Sequence, residues 1–167
     1  MKKMFQKPVV YIIQAFFCFG MLLVMYLFGR QQKTIDINAD EICSQIFAER
    51  SLYAEAVTEG DALSLRALYG LNANDFADFA FYEPASNMNV DELCVIHMSD
   101  SGQFSEINDA FSDRLSDQTE KFKNYGEEEM QLINHAKCVK YGDYCICIIA
   151  DDPEGVLSDF KKIVKGK

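Results

Sequence analysis

The residues able to carry chemistry are few in this chain of 167 residues, which holds six Cys and only two His. His135 and Cys138 are three apart, and Cys145 with Cys147 forms a C-x-C, so a zinc site can be drawn on paper. No C-x-x-C pair exists, however, and His135 sits at a predicted helix end. Cys138, Cys145 and Cys147 occupy strand positions where Val or Ala would serve, and unpaired Cys is among the most buried residue types. The reading is therefore no metal and no cofactor. Cys94 and His97 share one strand at i, i+3, so they point to opposite faces and cannot act together as nucleophile and base. Asn72-Ala73-Asn74-Asp75 and Asp151-Asp152-Pro153-Glu154 lack the alternating ligands and closing Glu of a calcium loop, and suit turns and caps instead.

These residues must be positioned by the elements around them. Asn38, with Glu41 three residues on, makes a capping-box start for a helix burying Ile42, Cys43, Ile46 and Phe47. Asp61 starts a second helix, through Leu65, Leu68 and Tyr69, which Gly70 ends. Residues 78–82 and 93–98 read as two strands joined as a hairpin across the turn residues 83–87. A long helix over 103–123 places Phe104, Ile107, Phe111, Leu115 and Phe122 on one stripe, with Glu106, Asp109, Asp113, Asp117 and Glu120 as a solvated face. A shorter helix covers 127–135. Residues 137–141 and 144–150 flank Gly142-Asp143, a two-residue connection with Gly first that suits a type II′ hairpin. That turn sets Cys138 opposite Cys147, Cα atoms ~4.5–5.5 Å apart. A disulfide is within reach there, but five thiols beyond residue 30 cannot all pair and the closed loop is short, so the expectation is neighbouring reduced thiols. Asp152 and Pro153 open the last helix, which buries Val156, Leu157, Phe160 and Val164. The resulting fold class is α+β, a mainly antiparallel sheet of about four strands packed with helices.

The sequence speaks most clearly ahead of this domain. Residues 9–29 run 21 positions without a charge, enough at ~1.5 Å per residue for a helix of about 32 Å and hence for a hydrocarbon core of ~30 Å. The exit Met25-Tyr26-Leu27-Phe28-Gly29 is bulky where a signal peptidase needs small residues, and Phe16-Phe17 before Cys18 excludes a lipidation site. The expectation is a retained single-pass transmembrane helix. Lys2, Lys3 and Lys7 precede it against Arg30 and Lys33 behind it, so residues 1–8 lie in the cytoplasm and the bulk outside the cytoplasmic membrane. Residues 30–38 form a tether, and 39–165 the extracytoplasmic domain. All 26 acidic residues lie beyond position 30, and 13 of the 16 basic ones lie from Arg30 onward. Such a domain is repelled by phosphate backbones and by anionic headgroups, which excludes nucleic acid as a partner and leaves the amino-terminal helix as the contact with the membrane.

Several landmarks occur in a recognisable order. They are Leu68-Tyr69-Gly70-Leu71 before the first strand, Glu92-Leu93-Cys94-Val95 opening the second, and Arg114, Gln118, Phe122 and Tyr125 along the long helix and its exit. Gly142-Asp143-Tyr144 then leads an apolar strand into Asp151-Asp152. In these the chain resembles the bacterial proteins of domain of unknown function 4358, over roughly residues 39–160. It departs from them in having Gly126-Glu127 after Tyr125, where Pro is common. The resemblance implies an envelope protein of Firmicutes and transfers no catalytic role. The reading is a membrane-tethered binding or scaffolding module whose partner is a protein or a cell-wall component. The alternative is an envelope enzyme with a dispersed site around Arg114, Tyr125 and Tyr144.

Overall fold

A computed structural model of the chain describes residues 34–124 and 126–166, together with Gln14, Phe16, Phe17 and residues 19–21, which are helical. The chain divides into two compact units, Met1–Gln32 and Lys33–Lys167. Among the described residues no helix is long and apolar enough to cross a membrane. Most of the 9–29 run, and all of 1–8, lie outside them.

The second unit is an antiparallel five-stranded sheet with helices on both faces. Helix α1 (Ala39–Glu49) leads into a short α2 (Ser51–Ala56) and strand β1 (Val57–Gly60), followed by α3 (Ala62–Tyr69). Strands β2 (Asp78–Pro84) and β3 (Glu92–His97) form the expected hairpin. Then come α4 (Phe104–Phe122), α5 (Glu127–His135), β4 (Lys137–Tyr141), β5 (Tyr144–Ile149) and α6 (Pro153–Val164). The strand order is β1-β2-β3-β5-β4. The carboxy-terminal hairpin thus lays β5 against β3 and leaves β4 at the edge.

The caps explain why the helices start where they do. The Asn38 side chain accepts from the Asp40 N–H, the Asp61 side chain from those of Leu63 and Ser64, and the Asp152 side chain from that of Gly155. Each satisfies an amide with no partner inside its helix. Gly70 ends α3 at φ 71°, in the left-handed region. Gly142 has φ 60° and no described non-Gly residue has positive φ, so Asp143 lies on the negative side and the turn is type II′.

Sheet parity then sorts the core. Leu93, Val95, Tyr144, Ile146 and Ile148 face α1 and α6. Phe81, Cys94, Ile96, Cys145 and Cys147 face α3 and α4. Both faces of β5 are covered, which is why Tyr144–Ile149 reads as an unbroken apolar run rather than an alternating one. At one end Ile133 of α5 and Phe122, the last residue of α4, close the core over Ile149.

Three expectations need correcting. The sheet has five strands, not about four, because Val57–Gly60 pairs with β2 from Val57 opposite Pro84 to Gly60 opposite Phe81. That strand has four residues and two exposed polar ones, too short for alternation to show. The buried face of α4 is rotated from the predicted stripe. Ile107, Ala110, Phe111, Arg114, Gln118 and Phe122 face inward, while Phe104 is 36% exposed and Leu115 only half-buried. An all-apolar stripe misplaced this face because two of its members are polar. Finally, Cys138 and Cys147 are opposite each other, as the turn requires, but are joined in a disulfide rather than left as two thiols. Counting from the turn makes them a non-hydrogen-bonded pair, the closest approach a ladder offers, with Cα atoms 4.0 Å apart.

Candidate functional site

Glu92 opens β3 ahead of the apolar residues Leu93, Cys94, Val95 and Ile96, and its side chain turns toward α4 with only 1% of the residue exposed. Arg114, on the inner face of α4, meets it, and Gln118 is buried one turn further along the same face. Tyr69, the last residue of α3, reaches in from the side. The Arg114 Nε donates to both Glu92 carboxylate oxygens at 3.1 Å, its Nη2 donates to Oε2, and the Tyr69 hydroxyl donates to Oε1. From the opposite face of the sheet the Tyr53 hydroxyl donates to the Glu92 carbonyl oxygen at 2.6 Å. One residue therefore ties α2, α3 and α4 to the centre of the sheet.

Electrostatics follow from burial. Burial by itself would lower the Arg114 guanidinium, but the hydrogen bonds and charge of Glu92 outweigh it and hold it above its ordinary value. Burial, reinforced by the Glu92 charge, pushes the Tyr69 phenol well up, so it remains a donor. The Glu92 carboxyl thus accepts from a forked guanidinium and a phenol, so both of its oxygens have donors.

Just outside this cluster lies an open cleft of about 520 Å³, lined among others by Arg50, Leu52, Tyr53, Asp91, Asp151 and Asp152. It sits where β3 begins and β5 ends. Arg50 crosses it to reach Asp152 at 3.0 Å and Asp159 at 2.9 Å. Asp91 is half-buried beside Asp151, and burial raises its carboxyl. Leu52 is 82% exposed on the rim. Tyr53 belongs to both places, its ring lining the cleft and its hydroxyl holding Glu92.

The dispersed site drawn from the sequence does not assemble. Arg114 is engaged by Glu92 on one face of the sheet. Tyr144 points to the other face, where its hydroxyl accepts from the Ile37 N–H at 2.9 Å and donates to the Ile37 carbonyl at 2.7 Å. Tyr125 lies outside the described residues. Cys94 and His97 do occupy opposite faces. His97 stacks on Tyr144 with ring centroids 4.3 Å apart, and its Nδ1 lies 3.0 Å from Asp78, whose other oxygen accepts from the Ala39 N–H. His135 holds the Gln131 carbonyl at 2.8 Å, and Cys138 is bonded to Cys147, so the His135–Cys138 spacing builds no joint site. The cluster that does assemble was available as four separate landmarks. The missed signal was an acid at the head of an apolar strand, matched by Arg and Gln at helical spacing on a face otherwise apolar.

No curated protein and no solved structure matches this chain. Residues 50–150 match the family described as Domain of unknown function (DUF4358), a span that contains Tyr69, Glu92, Arg114 and Gln118 together. The chain belongs to that family.

Proposed function

We propose that the chain is a membrane-tethered module whose domain, residues 39–165, projects from the outer face of a bacterial cytoplasmic membrane and binds a protein partner there. The carrying observation is the uncharged run of residues 9–29, with three lysines ahead of it and every acidic residue of the chain behind it. The open cleft beside Glu92 supports binding as the task. It combines an exposed apolar side chain, Leu52, and the aromatic ring of Tyr53 with a charged rim of Arg50, Asp91, Asp151 and Asp152. An apolar centre with a polar rim is the make-up of a recognition surface. The reading as an envelope enzyme loses its constellation, since Arg114 and Tyr144 are separated by the sheet and each is held by other partners.

Crosslinking from intact membranes tests this reading. A photoreactive residue at position 52 is expected to trap a discrete protein adduct, and the same probe in place of Asp113, on the outer face of α4, is not. An adduct with glycan rather than protein would redirect the partner class. Equal trapping at both positions, or none at either, would contradict a binding role for the cleft.

A further inference from the structure

Three cysteines stand side by side across the sheet. Cys147 on β5 lies opposite Cys138 on the edge strand β4 and, on its other side, opposite Cys94 on β3. All three face α3 and α4. In an antiparallel ladder the N–H and C=O of one residue point to the same neighbouring strand. Tyr141 and Tyr144 close the hairpin as a hydrogen-bonded pair, so Cys138–Cys147 is non-hydrogen-bonded and Cys147 turns its amide toward β3. The 2.8 Å bond from the Met98 N–H to the Asp143 carbonyl is in phase with this. Cys94–Cys147 is then a hydrogen-bonded pair, whose Cα atoms stand ~5.5 Å apart, in the middle of the range that disulfides span. Cys147 thus has two partners in reach and can bond only one. The remaining thiols do not compete. Cys145 is opposite Ile96 and Lys140 and lies 3.7 Å from the Met98 sulfur, and Cys43 belongs to the core on the other face.

We propose that Cys94, Cys147 and Cys138 form a thiol–disulfide exchange site, in which Cys147 passes its bond from Cys138 to Cys94 and so frees Cys138 to react with an external disulfide. In the first step the Cys94 sulfur attacks that of Cys147. The Cys94–Cys147 bond forms as Cys138–Cys147 breaks, and the electron pair leaves with Cys138, which takes up the proton Cys94 gave up. No net oxidation occurs. In the second step the Cys138 thiolate attacks the external disulfide, giving a mixed disulfide and releasing one thiol. Cys138 suits this role because it is half-buried on the edge strand, whereas Cys94 and Cys147 are enclosed. Burial pushes the Cys94 thiol well above its ordinary value, so exchange runs through a small thiolate fraction and quickens as pH rises.

The test is peptide mapping without reductant on the full chain in detergent. In Cys138→Ala, oxidised glutathione in excess is expected to yield a Cys94–Cys147 crosslink and free Cys43 and Cys145. Unreacted Cys94 and Cys147, or Cys147 bonded to Cys43 or Cys145, would overturn the proposal. In the wild-type chain, substoichiometric dithiothreitol at pH 8.5 is expected to convert part of the Cys138–Cys147 form into Cys94–Cys147, with Cys138 then labelled by a disulfide reagent such as dithiodipyridine. A wild-type chain that gives only Cys138–Cys147 would overturn it even if the variant failed to fold.

Discussion

Replacing Arg114 by Ala leaves the Glu92 carboxyl enclosed with the Tyr69 hydroxyl as its one remaining side-chain donor among the described residues. Glu92 is 1% exposed and Arg114 9%, so the carboxyl loses its main partner at a site largely closed to solvent. Breaking a buried pair by removing one partner costs about 3–5 kcal/mol, a fifth or more of the ~5–15 kcal/mol that holds an ordinary domain folded. With a urea slope of about 2 kcal/mol per molar, the unfolding midpoint falls by about 2 M. Removing both charges, in Glu92→Leu with Arg114→Met, leaves no uncompensated ion. The residual penalty is then about 1–3 kcal/mol, for a Tyr69 hydroxyl deprived of its acceptor. The double variant is therefore expected to be more stable than Arg114→Ala alone. Urea unfolding followed by circular dichroism measures all three. A loss below about 1 kcal/mol for Arg114→Ala, or a double variant weaker than the single one, would refute the pair as the tie between α4 and β3.

On α4, Phe111→Ala is expected to cost about 3–5 kcal/mol and Asp113→Ala less than about 0.5, by the same unfolding assay, because Phe111 is 3% exposed and Asp113 faces solvent. Tyr144→Phe removes the hydroxyl bridging the Ile37 N–H and carbonyl, and hydrogen exchange at the Ile37 amide is expected to quicken while that at Ile146 stays slow. Stability is expected to fall in alkali. Burial pushes the Cys145 thiol from 9.0 to about 12 and the Tyr82 phenol from 10.0 to about 12. The unfolded chain ionises first, so stability present at pH 7 is lost between about pH 9 and pH 12, as unfolding midpoints at pH 7 and pH 11 would show. In acid the sign is set by the helix caps and their partners. Asp61 is held low by the Ser64 and Leu63 amides, Asp152 by the Gly155 amide and Arg50, and Asp159 by Lys162 and Arg50. Their contribution is present above their ordinary 3.8 and is lost as pH drops through their lower folded values, which a midpoint series from pH 5 to pH 2 follows.

Much of the fold was legible because local signals agreed with it. Asn38, Asp61 and Asp152 cap the helices they were expected to cap, Gly70 and Gly142 take the positive φ assigned to them, and the turn fixes the β4–β5 register down to Cys138 and Cys147. What escaped depends on contacts distant in sequence. β1 exists because β2 offers it an edge, not because Val57-Thr58-Glu59-Gly60 favours a strand. Arg114, a polar member of the α4 face, belongs inside because Glu92, 22 residues before it, is carried there by β3. The thiol row likewise needs the pairing of β3 with β5, which no turn specifies.

The central claim is a domain tethered by residues 9–29 and displayed outside the membrane, and limited proteolysis of intact bacterial protoplasts expressing the full chain tests it most directly. Tags at each end make the fragments readable. The account predicts that added protease removes the tag at residue 167 and digests the domain, while the amino-terminal tag survives on a membrane-bound fragment of about 30 residues. Full protection of the carboxy-terminal tag until the membrane is permeabilised, or recovery of the chain in the soluble fraction, would contradict it.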